Sequence, residues 1–217
     1  MLSSGPPATL PSMARETRRE DRELRRNILD ATTRLLGRCK FADLTVADIL
    51  AEAGISRGSF YFYFQGKHEV LAELVRQAID QGHKTSASWL GHRDESDRRA
   101  AIRRSIADGA QLWSEQAAVL RAIVEHWRDD PALEELWRGQ MDSFAKTTAE
   151  RIDADRAAGA ISHHAIDSQT LAATLTWLGE RLYYLAATGT PPFDNQSELV
   201  DVLTHMWMTT LYAESPR

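Results

Sequence analysis

The chain has one cysteine, Cys39, in 217 residues, which excludes a disulfide framework within the chain and fits a reducing compartment. Placed at the end of the first expected helix, its thiol reads as partly buried and inert rather than as a redox sensor. No apolar run approaches the ~20 residues that a membrane-spanning helix needs, so no membrane partner is expected. Residues 1–12 carry three prolines and several small residues but no apolar segment after a basic start, and no secretory signal is expected from them. From Lys84 to Arg217 there is no glycine-rich phosphate loop, no useful strand alternation and no internal repeat. Seven histidines are scattered along the chain. His163 and His164 with Asp167 are the one grouping that suggests a metal or acid-base site. Adjacent histidines point to different sides of a helix, however, and no second His or Cys pair has ligand spacing. There is no nucleophile elbow. The chain is therefore expected to be no enzyme, with no catalytic residue, no metal ligand and no cofactor.

Basic charge is also scarce, since 26 Lys and Arg against 31 Asp and Glu leave a net charge of -5. Its distribution is uneven. Residues 1–68 hold 11 basic and 8 acidic side chains, whereas residues 69–217 hold 15 and 23. A basic head on an acidic body can still meet a polyanion, because phosphate neutralisation is local over a Debye length of roughly 8 Å at physiological salt. Arg15, Arg18, Arg19, Arg22, Arg25 and Arg26 cluster near the start, either as a solvated tail or as an arm that tracks a duplex.

What the chain does have is helical periodicity almost throughout, with 43% hydrophobic residues. The expected fold is all-α, with about nine helices: an N-terminal three-helix head and a larger antiparallel helical bundle. A flexible basic leader is expected over residues 1–19, the head over 20–66 and the body over 67–217. Leu24, Ile28, Ala31, Leu35 and Leu36 form the core stripe of a first helix from Glu20 to Gly37, with Phe41 and Leu44 closing the same core. A long helix opens at Lys67. In the body, Asp130 before Pro131 starts a helix that ends at Gly159, Asp167 caps another, and the prolines near Thr190 separate it from the last.

The densest local signals lie between Thr45 and Lys67. Thr45 caps a short helix and Asp48 reaches back to its amide, a capping box. Val46, Ile49, Leu50 and Ala53 share one stripe, and Gly54 supplies the left-handed residue that ends it. Ser56 caps a second helix, in which Phe60 and Phe64 sit four apart and face the core. That leaves Arg57, Ser59, Tyr61 and Tyr63 for other surfaces. Arginine, hydroxyls and flat rings within two turns suit a DNA major groove, with Arg57 reading base edges. Thr45, Ser59, Tyr61, Tyr63 and Lys67 are expected to clamp phosphates, Ser56 to cap, and Gly58 to permit close approach. A three-helix core with an aromatic surface is the plainer reading of the same residues.

Thr45-Val46, Asp48-Ile49, the run Ala53-Gly54-Ile55-Ser56-Arg57-Gly58-Ser59-Phe60-Tyr61, then Tyr63-Phe64 and Lys67, resemble the DNA-binding signature of the tetracycline-repressor (TetR) family of bacterial regulators. The resemblance spans roughly residues 20–75 and is long and specific. The C-terminal half resembles the ethionamide-resistance repressor branch of that family through Glu135-Leu136-Trp137, Met141, Ile152-Asp153-Ala154, Glu180-Arg181 and His205-Met206-Trp207. Glu180 with Arg181 reads as a buried or interfacial ion pair. The resemblance implies a ligand-responsive repressor, working in the cytoplasm on a palindromic double-stranded DNA operator and released by a small hydrophobic effector.

Leu171, Leu175, Leu178, Leu182 and Leu185 repeat at helical spacing, and Leu199, Val202, Leu203, Met206, Thr210 and Leu211 trace a matching stripe. Such a seam wants a helical partner, supplied either by the chain's own core or across a two-fold axis. The resemblance implies a homodimer, through Leu171, Leu175, Leu178, Leu182, Leu199, Leu203 and Met206. All six tryptophans, Trp89, Trp113, Trp127, Trp137, Trp177 and Trp207, lie in the body. A single buried aromatic is usually core filling. For the cluster, the resemblance implies a cavity lined by Trp137, Met141 and Trp207, with Trp113, Phe144, Thr148, Thr176, Gly179 and Tyr184 on nearby faces. Thr176 and Gly179 stand where that branch places amides, so its polar ligand contacts do not carry over.

Overall fold

The computed structural model describes residues 10–86, 95–161 and 166–212, and among these the chain forms nine α-helices and no strand. In order these are α1 (Leu10–Leu36), α2 (Val46–Ala53), α3 (Arg57–Tyr63), α4 (Lys67–Ser86), α5 (Glu95–Glu115), α6 (Ala117–His126), α7 (Pro131–Ala157), α8 (Ser168–Ala187) and α9 (Gln196–Tyr212). The chain divides into two compact units, Met1–Val70 and Leu71–Arg217. That division falls four residues beyond the expected boundary, inside α4. Trp89, His163 and His164, and the side chains of Arg15 and Arg18, lie outside the described residues.

Helix α1 begins at Leu10 rather than Glu20, so the arginines expected in a loose leader stand on a helix. The reason is compositional. Pro11 falls in the first turn, where a missing amide hydrogen costs nothing, and from Ser12 to Leu36 there is no further proline or glycine to break the run. In the first unit, Ile28, Leu29, Ala31 and Leu36 of α1 bury their side chains with Phe41, Leu44, Ile49, Phe60 and Phe64. Asn27 Nδ2 donates to the Ala53 carbonyl at 2.9 Å, and Arg34 and Arg38 both reach Glu52, at 2.7 and 3.2 Å, tying α1 and the turn after it to α2. The two guanidinium groups, Arg34 first, hold the Glu52 carboxyl below the usual range. Cys39 is exposed, not partly buried as expected, with Sγ 3.4 Å from the Leu35 carbonyl.

In the second unit α7 packs along α8 and α5 along α9, with α6 against α8. One core cluster joins Ile102 and Ile106 of α5 to Leu182 of α8 and to Leu199, Val200 and Leu203 of α9. A second joins Ile152 of α7 to Leu171, Ala172 and Leu175 of α8 and Leu211 of α9. The leucine seam is thus used within the chain. Leu171, Leu175, Leu182, Leu199 and Leu203 are buried there and offer little open surface to a second copy, whereas Leu178 and Met206 are half-buried. A seam is a periodicity, and periodicity alone does not say which partner fills it.

Local chemistry sets the helix ends. Asp130 Oδ1 accepts the amides of Ala132 and Leu133 at the start of α7, and Gly159, at φ +70°, ends the turn beyond it. Asp167 accepts the Thr170 amide at 2.9 Å to start α8, and that bond lowers its pKa. Glycine also sets one helix crossing. A Cβ on Gly109 of α5 would stand 2.9 Å from the Tyr183 Oη of α8, whose hydroxyl donates to the Ile106 carbonyl at 3.0 Å. At the far end of the unit, buried Asp155 accepts from Arg151 and from the Tyr212 hydroxyl at 2.6 Å, while Arg98 lies over the Tyr212 ring.

Candidate nucleic-acid interface and ligand pocket

The turn that positions α3 is built as its residues dictate. Thr45 Oγ1 accepts the Asp48 amide at 3.2 Å, and Asp48 Oδ2 accepts the Thr45 amide at 2.9 Å and its hydroxyl at 2.6 Å. The bonds from Thr45 hold the Asp48 carboxyl below its usual range. Gly54 ends α2 at φ +66°, ψ +36°, and the Ile55 amide donates back to the Leu50 carbonyl at 3.2 Å. Ser56 then caps α3 by accepting the Ser59 amide at 3.1 Å.

Phe60 and Phe64 are buried and fix the inner side of α3, while Arg57 and Tyr61 stand outward. The Arg57 guanidinium lies 5.3 Å from the centre of the Tyr61 ring, so the pair shares one patch of outer surface. Beside them Phe62 is 76% exposed, its ring edge-on to Tyr63 at 4.9 Å. Phe62 is not among the residues expected at the site from sequence. The signal is there nonetheless, because a residue two places from both Phe60 and Phe64 points to the opposite side of the helix. A Cβ at Gly58 would meet nothing nearer than Ser56 Oγ at 3.8 Å, so no packing within the chain demands that glycine.

Several expected phosphate donors are already engaged. Lys67 is the clearest correction: its Nζ donates to the carbonyls of Phe41, Ala42 and Leu44, at 2.9, 3.2 and 2.7 Å, and stands 4.7 Å over the Phe41 ring. All three ammonium protons are spent on the loop between α1 and α2. The Tyr63 hydroxyl donates to Asp21 at 2.8 Å; burial, then the Asp21 carboxylate, push its pKa up. The Thr45 hydroxyl proton goes to Asp48. Ser56 and Ser59 lie 2.9 Å apart through their hydroxyls, which leaves one donor proton between them. The outer face of α3 therefore reduces to Arg57, Tyr61, Phe62 and one serine hydroxyl.

In the second unit the nine expected cavity residues are all buried or half-buried. Trp137, Met141, Thr148, Trp113 and Gly179 are buried, and Trp113 stacks on Tyr183 with ring centres 6.2 Å apart. Phe144, Thr176, Tyr184 and Trp207 are half-buried; Trp207 packs against both core clusters. Thr176 Oγ1 donates to the Ala172 carbonyl at 2.8 Å, and the Tyr184 hydroxyl donates to Glu125 at 3.0 Å. A cavity of about 580 Å³ lies among α6, α7 and α8, lined by Val124, Glu125, Trp127, Arg128, Arg138, Asp142, Trp177, Glu180 and Arg181. None of the nine lines it.

Glu180 is buried rather than paired at an interface, and its pKa is raised by burial, against the pull of the Arg181 charge and of the Trp137 indole N–H. Arg181 lies over the Tyr184 ring, 5.2 Å from its centre. The pocket escapes a reading of the sequence because its walls, Trp127 and Trp177, belong to segments distant along the chain. No helix among the described residues is long and apolar enough to cross a membrane.

Comparison with known proteins adds two family matches, which together cover most of the chain. Residues 28–74 match the family described as bacterial regulatory proteins, tetR family, and residues 102–213 match the C-terminal domain of the transcriptional regulator EthR. The HTH-type transcriptional regulator EthR of Mycolicibacterium smegmatis is 34% identical over 200 residues, covering 91% of this chain and 89% of that protein. The protein of the same name from Mycobacterium tuberculosis is 31% identical over 215 residues, 98% of both chains. Among solved structures, a TetR-family regulator from Rhodococcus sp. superposes with a TM-score of 0.69 at 20% identity, over 86% of this chain and 99% of that one.

Proposed function

This chain is a DNA-binding transcriptional regulator of the TetR family, and from that premise we propose that it is a repressor which binds a palindromic operator as a homodimer and is released by a small hydrophobic ligand. Members of this family are regulators and not enzymes. A helical lipid- or drug-binding protein without DNA function is not favoured, because residues 28–74 match the DNA-binding family.

The observation that carries the reading is the two-sided build of α3: Phe60 and Phe64 are held in the core while Arg57, Tyr61 and the 76% exposed Phe62 are offered outward. In a major groove Arg57 would pair with the acceptor edge of a guanine, Phe62 would lie against a thymine methyl, and the Tyr61 hydroxyl would donate to a phosphate. Ser59 can add a hydroxyl, and Gly58 leaves room for the backbone to approach. Thr45, Ser56, Tyr63 and Lys67 serve by holding the turn in place.

One short helix reads few base pairs, so two heads about 34 to 36 Å apart on successive major grooves supply the rest. Since most of the leucine seam is buried, the pairing surface falls to the outward strip of α9, with Val202 46% exposed and Met206 half-buried, and to Leu178 of α8. The effector would enter among the aromatic residues of the second unit, around Trp137, Met141, Phe144 and Trp207. A differential affinity worth about 1 to 3 kcal/mol for one conformer changes operator binding some 5- to 150-fold. Such a protein works where the chromosome is, in the cytoplasm.

The test is selection of bound fragments from random duplexes, followed by anisotropy titrations on the selected sequence at several salt concentrations. A palindrome bound by two chains with steep salt dependence is expected. A protein that ignores duplexes at low salt would end this reading.

A further inference from the structure

The first half of α1 carries charge that neither the core nor the outer face of α3 uses, and its described residues sort that charge by face. Glu23, Asn27 and Arg34 follow one another at four and seven residues, on the flank that meets α2; there Asn27 donates to the Ala53 carbonyl and Arg34 pairs with Glu52. Asp21 and Arg25, four apart, form the other flank. On that side the Tyr63 hydroxyl donates to Asp21 at 2.8 Å, and the Arg25 guanidinium lies 5.5 Å from the centre of the Phe64 ring. Between the flanks, opposite the buried Ile28 and Ala31, runs a ridge of Arg19, Arg22 and Arg26, spaced three and four and all exposed.

The ridge has little to do within the chain. Arg26 stands 3.6 Å from Asp30, with side chains 81% and 57% exposed, a surface pair that a competing anion displaces at small cost. Arg19 and Arg22 pair with no carboxylate among the described residues. Three like charges within about 10 Å of helix repel one another until a polyanion lies across them. A duplex seated on α3 supplies one. A major groove is about 12 Å wide and bordered by two phosphate strands, whereas α3 is about 10 Å long and offers one guanidinium, so the strands are left to neighbouring elements. Helix α1 is tied to the last residue of α3 through Asp21 and continues about 16 Å beyond that bond, to Leu10.

We propose that the first half of α1 is a second duplex-contact element, in which Arg19, Arg22 and Arg26 hold phosphates of one strand beside the groove that α3 enters. They read no base. The Tyr63–Asp21 bond and the Arg25–Phe64 contact set the angle at which the ridge meets that strand, so Tyr63 is a positioning residue for contacts made from another helix. The inference rests on α3 binding DNA and adds a source of backbone affinity, supplied by α1 where Lys67 and Tyr63 are already engaged.

The test takes the full chain and its selected operator through anisotropy titrations at several salt concentrations, and through ethylation interference, which neutralises single phosphates. Arg19→Gln/Arg22→Gln/Arg26→Gln should bind operator and random duplex about tenfold more weakly at physiological salt, with base preference kept and the log–log salt slope shallower by about 2 to 3. A run of phosphates whose ethylation blocks the parent should cease to matter to that variant. Tyr63→Phe should blur the same run and weaken binding several-fold; a Tyr63→Phe protein that matches the parent throughout overturns the positioning role. Should the triple variant melt early, Arg19→Gln/Arg22→Gln leaves the Arg26–Asp30 pair in place and carries the test, with a slope change of about 2. A parent that binds no duplex overturns this inference together with the reading of α3. A parent that binds its operator, with slope and interference pattern unchanged in a folded variant, overturns this inference alone. So does binding to vesicles of anionic phospholipid that the variant loses while its DNA affinity stays the same.

Discussion

At the scale of single residues, Lys67 shows how a charge can be structural while looking functional. Its ammonium holds three carbonyls of the loop between α1 and α2, so Lys67→Ala should lower the stability of the first unit by about 1.5 to 3 kcal/mol, read by calorimetry. Its effect on the salt slope of DNA binding should be small. Sequence alone does not separate the two roles, because this lysine's partners lie 23 to 26 residues away. Thr45 and Asp48 are legible for the opposite reason: their partners are each other. Glu180 yields a prediction with a sign. Burial raises its pKa, so the charged form costs stability above the folded pKa and the cost vanishes below the ordinary carboxylate range. Glu180→Gln should therefore melt higher than the parent at pH 8, with the difference shrinking towards zero as the pH is lowered to about 4.

Among elements, the short helices are legible in the sequence because caps and glycine act locally. Gly54 ends α2 at φ +66°, and a Cβ there would meet nothing within 4 Å, so Gly54→Ala should cost only backbone strain, about 1 to 2 kcal/mol in a thermal melt. The early start of α1 at Leu10 is not, because basic residues near a terminus invite a disordered reading, whereas arginine and glutamate are good helix formers. The leucine repeat of α8 is plain in the sequence, but its partner is not. Helical spacing shows that a face is apolar, and only the tertiary arrangement shows that α5, α7 and α9 cover it. The outer side of α9 is the surface proposed for pairing. Val202→Glu should convert the proposed dimer to single chains in sedimentation experiments while leaving the melting temperature nearly unchanged, since that side chain is 46% exposed.

For the whole molecule, class and overall plan are legible because helical periodicity runs along most of the chain and the Thr45–Lys67 signals are local, whereas the pocket floored by Glu180 is not. Its lining comes from three helices and the turn between two of them, and spacing within one helix does not bring Trp127 to Trp177. The fold also confines the indole chromophores to one unit. Every tryptophan falls in Leu71–Arg217, and Met1–Val70 holds only the phenols of Tyr61 and Tyr63 with phenylalanines. Indole emission is therefore blind to the DNA-binding head. A denaturation curve followed by that emission, laid beside one followed by amide circular dichroism, distinguishes one cooperative transition from two without any added label.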